Sequence, residues 1–309
     1  MKNIVLLDSQ TLGECDLKVF EQFGNFTHYP TTNPQEILQR CQDAHIILTN
    51  KVILNADTLA KLPKLELICI TATGTNNVDL EYAKQRGIII KNVAGYSTNA
   101  VAQHTLMMAL YFLGNLGYYD NYCKSGEWST NAIFTHIKDP IRELDDLEWG
   151  IIGLGTIGQR VAQLAQSFGA KVSYHSTSGN NKNTQYPHKD LDSLLRTSDV
   201  ISIHAPLNPQ TNNLLNASNL TLLKDHTILL NVGRGGIVNE ADIAHILETK
   251  PFYFGADVLV KEPMESNHPL LNPKIAHKLL ITPHYAWAYD KARTRLLEGV
   301  IKNIAEFVK

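Results

Sequence analysis

The sequence predicts an α/β protein made of two doubly wound parallel sheets, one formed by a segment nested within the other in chain order. Three observations carry this expectation. Short apolar runs alternate with helix-patterned stretches along the chain, as strands buried on both faces of a parallel sheet do. Residues 149–176 read as strand, glycine turn, helix and strand, around Gly153-Leu154-Gly155-Thr156-Ile157-Gly158. A long apolar helix pattern precedes that unit and a helical tail follows the last strand, so the central segment is expected to be inserted. The expected boundaries are 1–103 with 285–309 for one domain and 104–284 for the other.

A length of 309 residues suits two domains, and 44% apolar with 19% charged residues is enough to bury a full core. The net charge of −2 gives no field for nucleic acid or an anionic membrane, which points to a small-molecule partner. Cys15, Cys41, Cys69 and Cys123 are scattered, with no paired spacing and no clustered His. That pattern suits a reducing compartment and predicts no metal site. The apolar run after Lys2 stops at Asp8, too short for a signal core, and no segment is long and apolar enough to span a bilayer. A cytoplasmic location is the simplest expectation.

Taken in order, apolar runs at residues 4–7, 46–49, 67–70 and 88–90, with 25–29 weaker, predict the strands of the first sheet. After the 67–70 strand comes Thr71-Ala72-Thr73-Gly74-Thr75-Asn76-Asn77-Val78-Asp79. Such a loop lies at the carboxyl edge of the sheet, where ligands bind. Its N–H groups are suited to a carboxylate, and a turn capping the next helix is an equal alternative. Residues 105–116 predict a buried helix whose methionines and aromatics are core. Residues 117–144, with Trp128 and Phe134, have little periodicity, and packing against a second copy of the chain is preferred over a surface excursion.

In the central unit each glycine of the turn has a separate task. Gly153 permits the tight turn, Gly155 lets backbone approach a pyrophosphate, and Gly158 lets the helix lie against its strand. Ile157, Val161, Leu164, Ala165 and Phe168 recur at helical spacing, and Gly169 follows as a left-handed cap. Between a strand and an amphipathic helix, this turn predicts dinucleotide phosphates on the helix N-terminus. Strands follow at 200–204, 228–232, 252–258 and 279–282, with helices at 191–195 and 239–247 and a last helix at 289–308. Asn239 is a suitable N-cap, with Asp242 in the first turn.

Arg234, Glu262 and His284 each fall just past a predicted strand end, on the edge that carries the glycine turn. Singly each has a bland explanation, as a solvated charge or a loop residue. Together they match the reduction of a 2-oxo acid. Hydride addition to a carbonyl builds negative charge on oxygen, which needs a proton and a fixed cation. An imidazolium donates the proton, a carboxylate orients the ring and raises its pKa, and a planar guanidinium holds the substrate's carboxylate and carbonyl oxygens.

GLGTIG (153–158), SDVISIHAPL (198–207), NVGRGGIVNEADI (231–243), GADVLVKEP (255–263) and TPHYAW (282–287) occur in the order found in D-2-hydroxyacid dehydrogenases. The chain resembles that family over nearly its whole length. The resemblance implies a Rossmann NAD(P)-binding domain inserted into a flavodoxin-like substrate domain, and a homodimer. It implies that Arg234 binds substrate, that His284 is the acid and base, and that Glu262 pairs with it. Thr73, Gly74 and Thr75 are then expected to take the substrate carboxylate, together with Arg234 and His284. The implied cofactor contacts are Gly153, Gly155, Thr156, Ile157, Gly158, Ser176, Thr177, His204, Ala205, Pro206, Thr211 and, at the nicotinamide end, Asp257.

Two details narrow the chemistry. Formate dehydrogenases of this family carry glutamine where this chain has Glu262, which disfavours formate oxidation. ATGTNNVDL, NVAGYSTNAVAQHT and SGEWS resemble the glycerate dehydrogenase or hydroxypyruvate reductase branch, which implies hydroxypyruvate, with glyoxylate second. A D-lactate or phosphoglycerate enzyme and a dinucleotide-sensing protein of the corepressor type are the alternatives. The absence of a long extension after Lys309 disfavours a phosphoglycerate enzyme with an added sensing domain, and the absence of long disordered extensions disfavours a scaffold. An NAD enzyme places Asp or Glu after its second nucleotide-binding strand, yet Ser176 stands there, with Thr177 beside it and Lys182 beyond. The cofactor is NAD(H) or NADP(H), and the choice stays open.

Overall fold

Short β-branched and aliphatic runs bounded by turn residues form strands wherever the pattern predicted them. The computed structural model describes residues 1–138 and 140–309, and all absences below refer to them. Two compact units result: Met1–Ser97 with Ala288–Lys309, and Thr98–Trp287.

The first unit holds β1 (Lys2–Leu6), β2 (Gly24–His28), β3 (Ile46–Thr49), β4 (Leu67–Ile70) and β5 (Ile89–Lys91) in the order β2-β1-β3-β4-β5, all parallel. That is the flavodoxin-like doubly wound order. Helices α1 (Ile37–Cys41), α2 (Ala56–Ala60) and α3 (Leu80–Gln85) connect the strands. Strands β3 and β4 are buried at every residue, as central parallel strands must be, and only the edges β2 and β5 are largely exposed.

The second unit holds β6 (Glu148–Ile152), β7 (Lys171–His175), β8 (Val200–Ile203), β9 (Ile228–Asn231), β10 (Tyr253–Ala256) and β11 (Leu279–Ile281). The sheet runs β11-β10-β9-β8-β6-β7, and its strand order reverses between β6 and β8. Outside β7, His188 makes a single parallel bridge to Tyr174, where a dinucleotide-binding sheet of the usual order has its third strand. Helices α4 (Thr98–Leu113), α5 (Leu116–Lys124), α6 (Thr156–Ser167), α7 (Leu191–Thr197), α8 (Ala217–Leu220) and α9 (Glu240–Leu247) belong to this unit, and α10 (Asp290–Val308) closes the first. Asn239 caps α9 by accepting from the Asp242 N–H at 3.1 Å.

Three local expectations need correction. Phe168, placed on the buried stripe of α6, is 48% exposed because the helix has ended there and Phe168 is its C-cap. The apolar helix begins earlier than predicted, at Thr98, and its residues Met107 and Leu110 are partly exposed. The stretch 117–144 is not wholly irregular, since most of α5 and a 3₁₀ turn at Glu127–Thr130 lie in it. Asp139, also in that stretch, lies outside the described residues.

All four cysteines are free thiols. Burial pushes the Cys41 and Cys69 thiols up to about 12, whereas Cys123 is exposed. Because the thiolate is the reactive form, a thiol-specific reagent at neutral pH is expected to label Cys123 fast. Cys41 and Cys69 should remain unlabelled until denaturant is added, which a mass count of adducts will show.

Candidate active site

The strands of the second sheet are all parallel, so their carboxyl ends share one edge, and the glycine turn follows β6 on that edge. Gly153 ends β6 at φ +91°, a conformation costly for side chains, and a Cβ there would lie 2.8 Å from the Ala205 nitrogen after β8. A Cβ on Gly158 would sit 2.3 Å from the Gly153 carbonyl oxygen, so α6 packs onto the turn only because that atom is missing. A Cβ on Gly155 would meet nothing within 4 Å. Steric need inside the protein explains Gly153 and Gly158, whereas Gly155 faces open space at the N-terminus of a twelve-residue helix. That is the cradle a pyrophosphate requires, with Thr156 and Ile157 supplying the next N–H groups.

Beyond β7, Ser176 is buried, and its hydroxyl oxygen accepts from the Asn181 N–H at 3.3 Å. The Asn181 side chain in turn donates to the Leu154 carbonyl at 2.7 Å, tying this loop to the glycine turn. Thr177 is half-buried and Lys182 exposed. Neither Ser176 nor Thr177 brings a carboxylate to the strand end.

After β8, His204 accepts or donates at Nε2 with Ser202 Oγ at 3.0 Å, and Ser202 also accepts from the Trp149 indole at 2.9 Å. Burial pushes the His204 pKa down to about 3, so the ring is neutral and not a cation for phosphate. Ala205 packs on Gly153, and Pro206 is exposed beside it. Thr211 is fully buried; its hydroxyl donates to the Pro206 carbonyl at 2.6 Å and accepts from the Asn208 N–H at 2.9 Å, so it shapes this loop.

After β9, Arg234 donates from Nη1 to the Gly233 carbonyl at 2.8 Å and forms no ion pair among the described residues. Its neighbour Gly235 is pressed against the backbone after β10, where a Cβ would lie 2.0 Å from the Leu259 carbonyl oxygen. The turn bearing Arg234 therefore abuts the loop bearing Glu262. Glu262 accepts from the Leu259 N–H at 2.9 Å through Oε1 and meets His284 Nδ1 at 2.7 Å through Oε2. A bond that short suits a charge-assisted pair. His284, after β11, adopts φ +51°, which few non-glycine residues do. Both partners are part-exposed, with side-chain accessibilities of 22% for His284 and 32% for Glu262.

A brace that sequence reasoning missed supports the Glu262 loop. Glu240, first residue of α9, accepts from the Val260 N–H at 2.7 Å and from His268 Nε2 at 2.9 Å. Because His268 Nδ1 accepts from the Leu270 N–H at 3.2 Å, its proton is on Nε2. Asp257 is buried, and its carboxylate accepts from the Thr282 hydroxyl and from the Tyr285 and Ala286 N–H groups at 2.6–3.0 Å. Its first duty is thus to the loop around His284, which leaves little of the carboxylate for a cofactor amide.

In the first unit, the loop after β4 caps the next helix. Asp79 caps α3, accepting from the Tyr82 N–H at 3.0 Å. Thr73 is fastened to the 92–93 backbone by its hydroxyl on the Val93 carbonyl at 3.1 Å and by Asn92 on its own carbonyl at 2.6 Å. Among the described residues the Gly74 and Thr75 N–H groups donate to no protein acceptor, as an anion site requires.

Known proteins resemble this chain over nearly its whole length. The family model described as D-isomer specific 2-hydroxyacid dehydrogenase, NAD binding domain, matches residues 106–286. A hydroxypyruvate reductase of Blautia hydrogenotrophica is 35% identical, over 99% of this chain and 97% of its own. A glycerate dehydrogenase of Methylorubrum extorquens is 34% identical, over 99% and 96%. A crystal structure of the D-lactate dehydrogenase from Aquifex aeolicus, complexed with NAD and lactic acid, superposes with a TM-score of 0.84. It is 27% identical and covers 99% of this chain and 95% of that one.

Proposed function

The chain belongs to the D-isomer specific 2-hydroxyacid dehydrogenase family, and from that premise we propose that it reduces hydroxypyruvate, with glyoxylate as second substrate, to the D-2-hydroxy acid. The observation that carries the reading is the 2.7 Å pair of His284 with Glu262, on a loop that abuts the turn of Arg234. Gly155, Thr156 and Ile157 would hold the phosphates of a nicotinamide dinucleotide, which when bound would supply the hydride. Glu262 holds His284 Nδ1–H, which leaves Nε2 to deliver a proton to the substrate's oxygen. Arg234 has Nε and Nη2 without protein acceptors, and these neutralise the carboxylate and the developing oxyanion. The Gly74 and Thr75 N–H groups of the first unit are themselves suited to a carboxylate.

The test is loss of nicotinamide absorbance with hydroxypyruvate, glyoxylate and pyruvate, each with NADH and with NADPH. Fast turnover of hydroxypyruvate is expected. Turnover confined to pyruvate would move the assignment to lactate chemistry. The same comparison decides the cofactor: with Ser176 engaged by Asn181 and no carboxylate present, nothing at this strand end repels a 2′-phosphate.

The glycine turn supplies a paired prediction. Gly155→Ala is expected to fold with an unchanged melting temperature and to bind dinucleotide about tenfold more weakly, about 1.4 kcal/mol. Gly158→Ala, whose Cβ meets backbone at 2.3 Å, is expected to cost about 1–3 kcal/mol of stability. Melting curves with and without cofactor separate the two.

A homodimer is part of the proposal. Leu116, Trp128, Ile133, Phe134 and Ile137 are 50–88% exposed on one unit, more apolar surface in one stretch than scattered exposure explains. Phe134→Asp with Ile137→Asp is expected to halve the mass seen by sedimentation. A cytoplasmic location is also proposed, supported by the four free thiols. No helix among the described residues is long and apolar enough to cross a membrane.

A further inference from the structure

The loop that carries His284 is fastened from beneath by a buried polar chain that starts on α4. Thr282 has one hydroxyl proton, and its 2.6 Å bond to the Asp257 carboxylate uses it. The Thr282 oxygen can therefore only accept from His104, whose Nε2 lies 3.1 Å away. That assigns the proton to His104 Nε2. The direction of the chain follows: His104 donates to Thr282, Thr282 to Asp257, and Asp257 receives the N–H groups of Tyr285 and Ala286 at 3.0 Å each. The His104 ring also stands edge-on to the Tyr285 ring, with centroids 4.9 Å apart and planes at 85°.

His104 thus touches residues on both sides of His284. It is 0% exposed. Burial pushes its pKa down more strongly than the nearby Asp257 raises it, so the ring is neutral. Its 3.7 Å approach to Asp257 Oδ1 is accordingly not an ion pair. A neutral imidazole at such depth is tolerated for its hydrogen bond and its shape. The loop needs such support, because φ +51° at His284 is a conformation that persists only where the surroundings enforce it.

We propose that His104 is a positioning residue for the reaction: through Thr282 and Tyr285 it holds His284 in the left-handed conformation that keeps Nδ1 on Glu262. This rests on the roles proposed above for His284 and Glu262, and its test includes a readout independent of turnover.

His104→Phe keeps the ring against Tyr285 but removes the N–H. His104→Gln restores an N–H at similar reach. Each is compared with the parent by kcat and KM for hydroxypyruvate, by dinucleotide affinity and melting temperature, and by the downfield proton resonance of His284 Nδ1–H, identified by its loss in His284→Ala. In His104→Phe, kcat is expected to fall about 10- to 100-fold, the scale of a misplaced catalytic group. KM and dinucleotide affinity should stay near parental values, and the downfield resonance should broaden or move upfield. His104→Gln should recover most of both. Parental kcat and resonance in His104→Phe would overturn the proposal. So would equal losses in both variants that track melting temperature and cofactor affinity, since these mark a purely structural residue. Should the parent turn over no 2-oxo acid, the proposed function fails while the resonance still decides whether His104 holds His284.

Discussion

His284→Ala is expected to lower kcat for 2-oxo acid reduction by about 10²- to 10⁴-fold, the range for a lost general acid, with dinucleotide affinity nearly unchanged. Alanine removes the only proton donor that the proposed geometry aims at the substrate's oxygen. The proposed cofactor cradle is the turn at 153–158, which does not include that side chain. The partner variant sharpens the test. Glu262→Gln keeps an acceptor oxygen for His284 Nδ1–H but removes the charge behind the 2.7 Å bond. Its loss of kcat should therefore be smaller than that of His284→Ala, and the double variant should be little worse than His284→Ala alone, because the two act as one unit. Stopped-flow reduction at saturating substrate measures the chemical step directly. A His284→Ala enzyme with near-parental burst rate would show that the proton comes from elsewhere.

Arg234→Gln is expected to lower kcat/KM by about 10³-fold, on the scale of removing a preorganised donor to a developing oxyanion. Nη1 of Arg234 is already held by the Gly233 carbonyl at 2.8 Å, which locks the plane of the guanidinium before substrate arrives. Lysine keeps the charge without the fork, so Arg234→Lys should recover only a small part of the loss. Because the proposed role sets the cation against both the carboxylate and the carbonyl oxygen, KM should rise and kcat fall together. A rise in KM alone would confine Arg234 to binding.

Much of this was legible in the chain because parallel-sheet proteins write their architecture locally. Strands such as Ile46–Thr49 and Val200–Ile203 are continuous apolar runs because both faces are covered. Gly153 and Gly158 were assigned tasks that their surroundings then explain atom by atom. Thr211 was less legible, because a hydroxyl's partner depends on how a loop closes and not on the motif that contains it. Phe168 failed for a similar reason: helical spacing does not report where the helix stops.

The pairing of His104 with Thr282 lies outside such reasoning altogether. The two are 178 positions apart, and on its own helix His104 stands between two other polar residues, Gln103 and Thr105. The same holds for Glu240, a first-turn acid by sequence, which proves to brace the loop of Glu262 across 20 residues. By itself, then, the sequence determined the two parallel sheets and the glycine turn, since periodicity and motif spacing encode burial and chain direction, and it brought Arg234, Glu262 and His284 forward as candidates. Only the tertiary structure decided which buried polar groups meet and how their protons are arranged. Hydrogen bonds between distant segments are selected by the shape of the packed interior, and no local pattern records that shape.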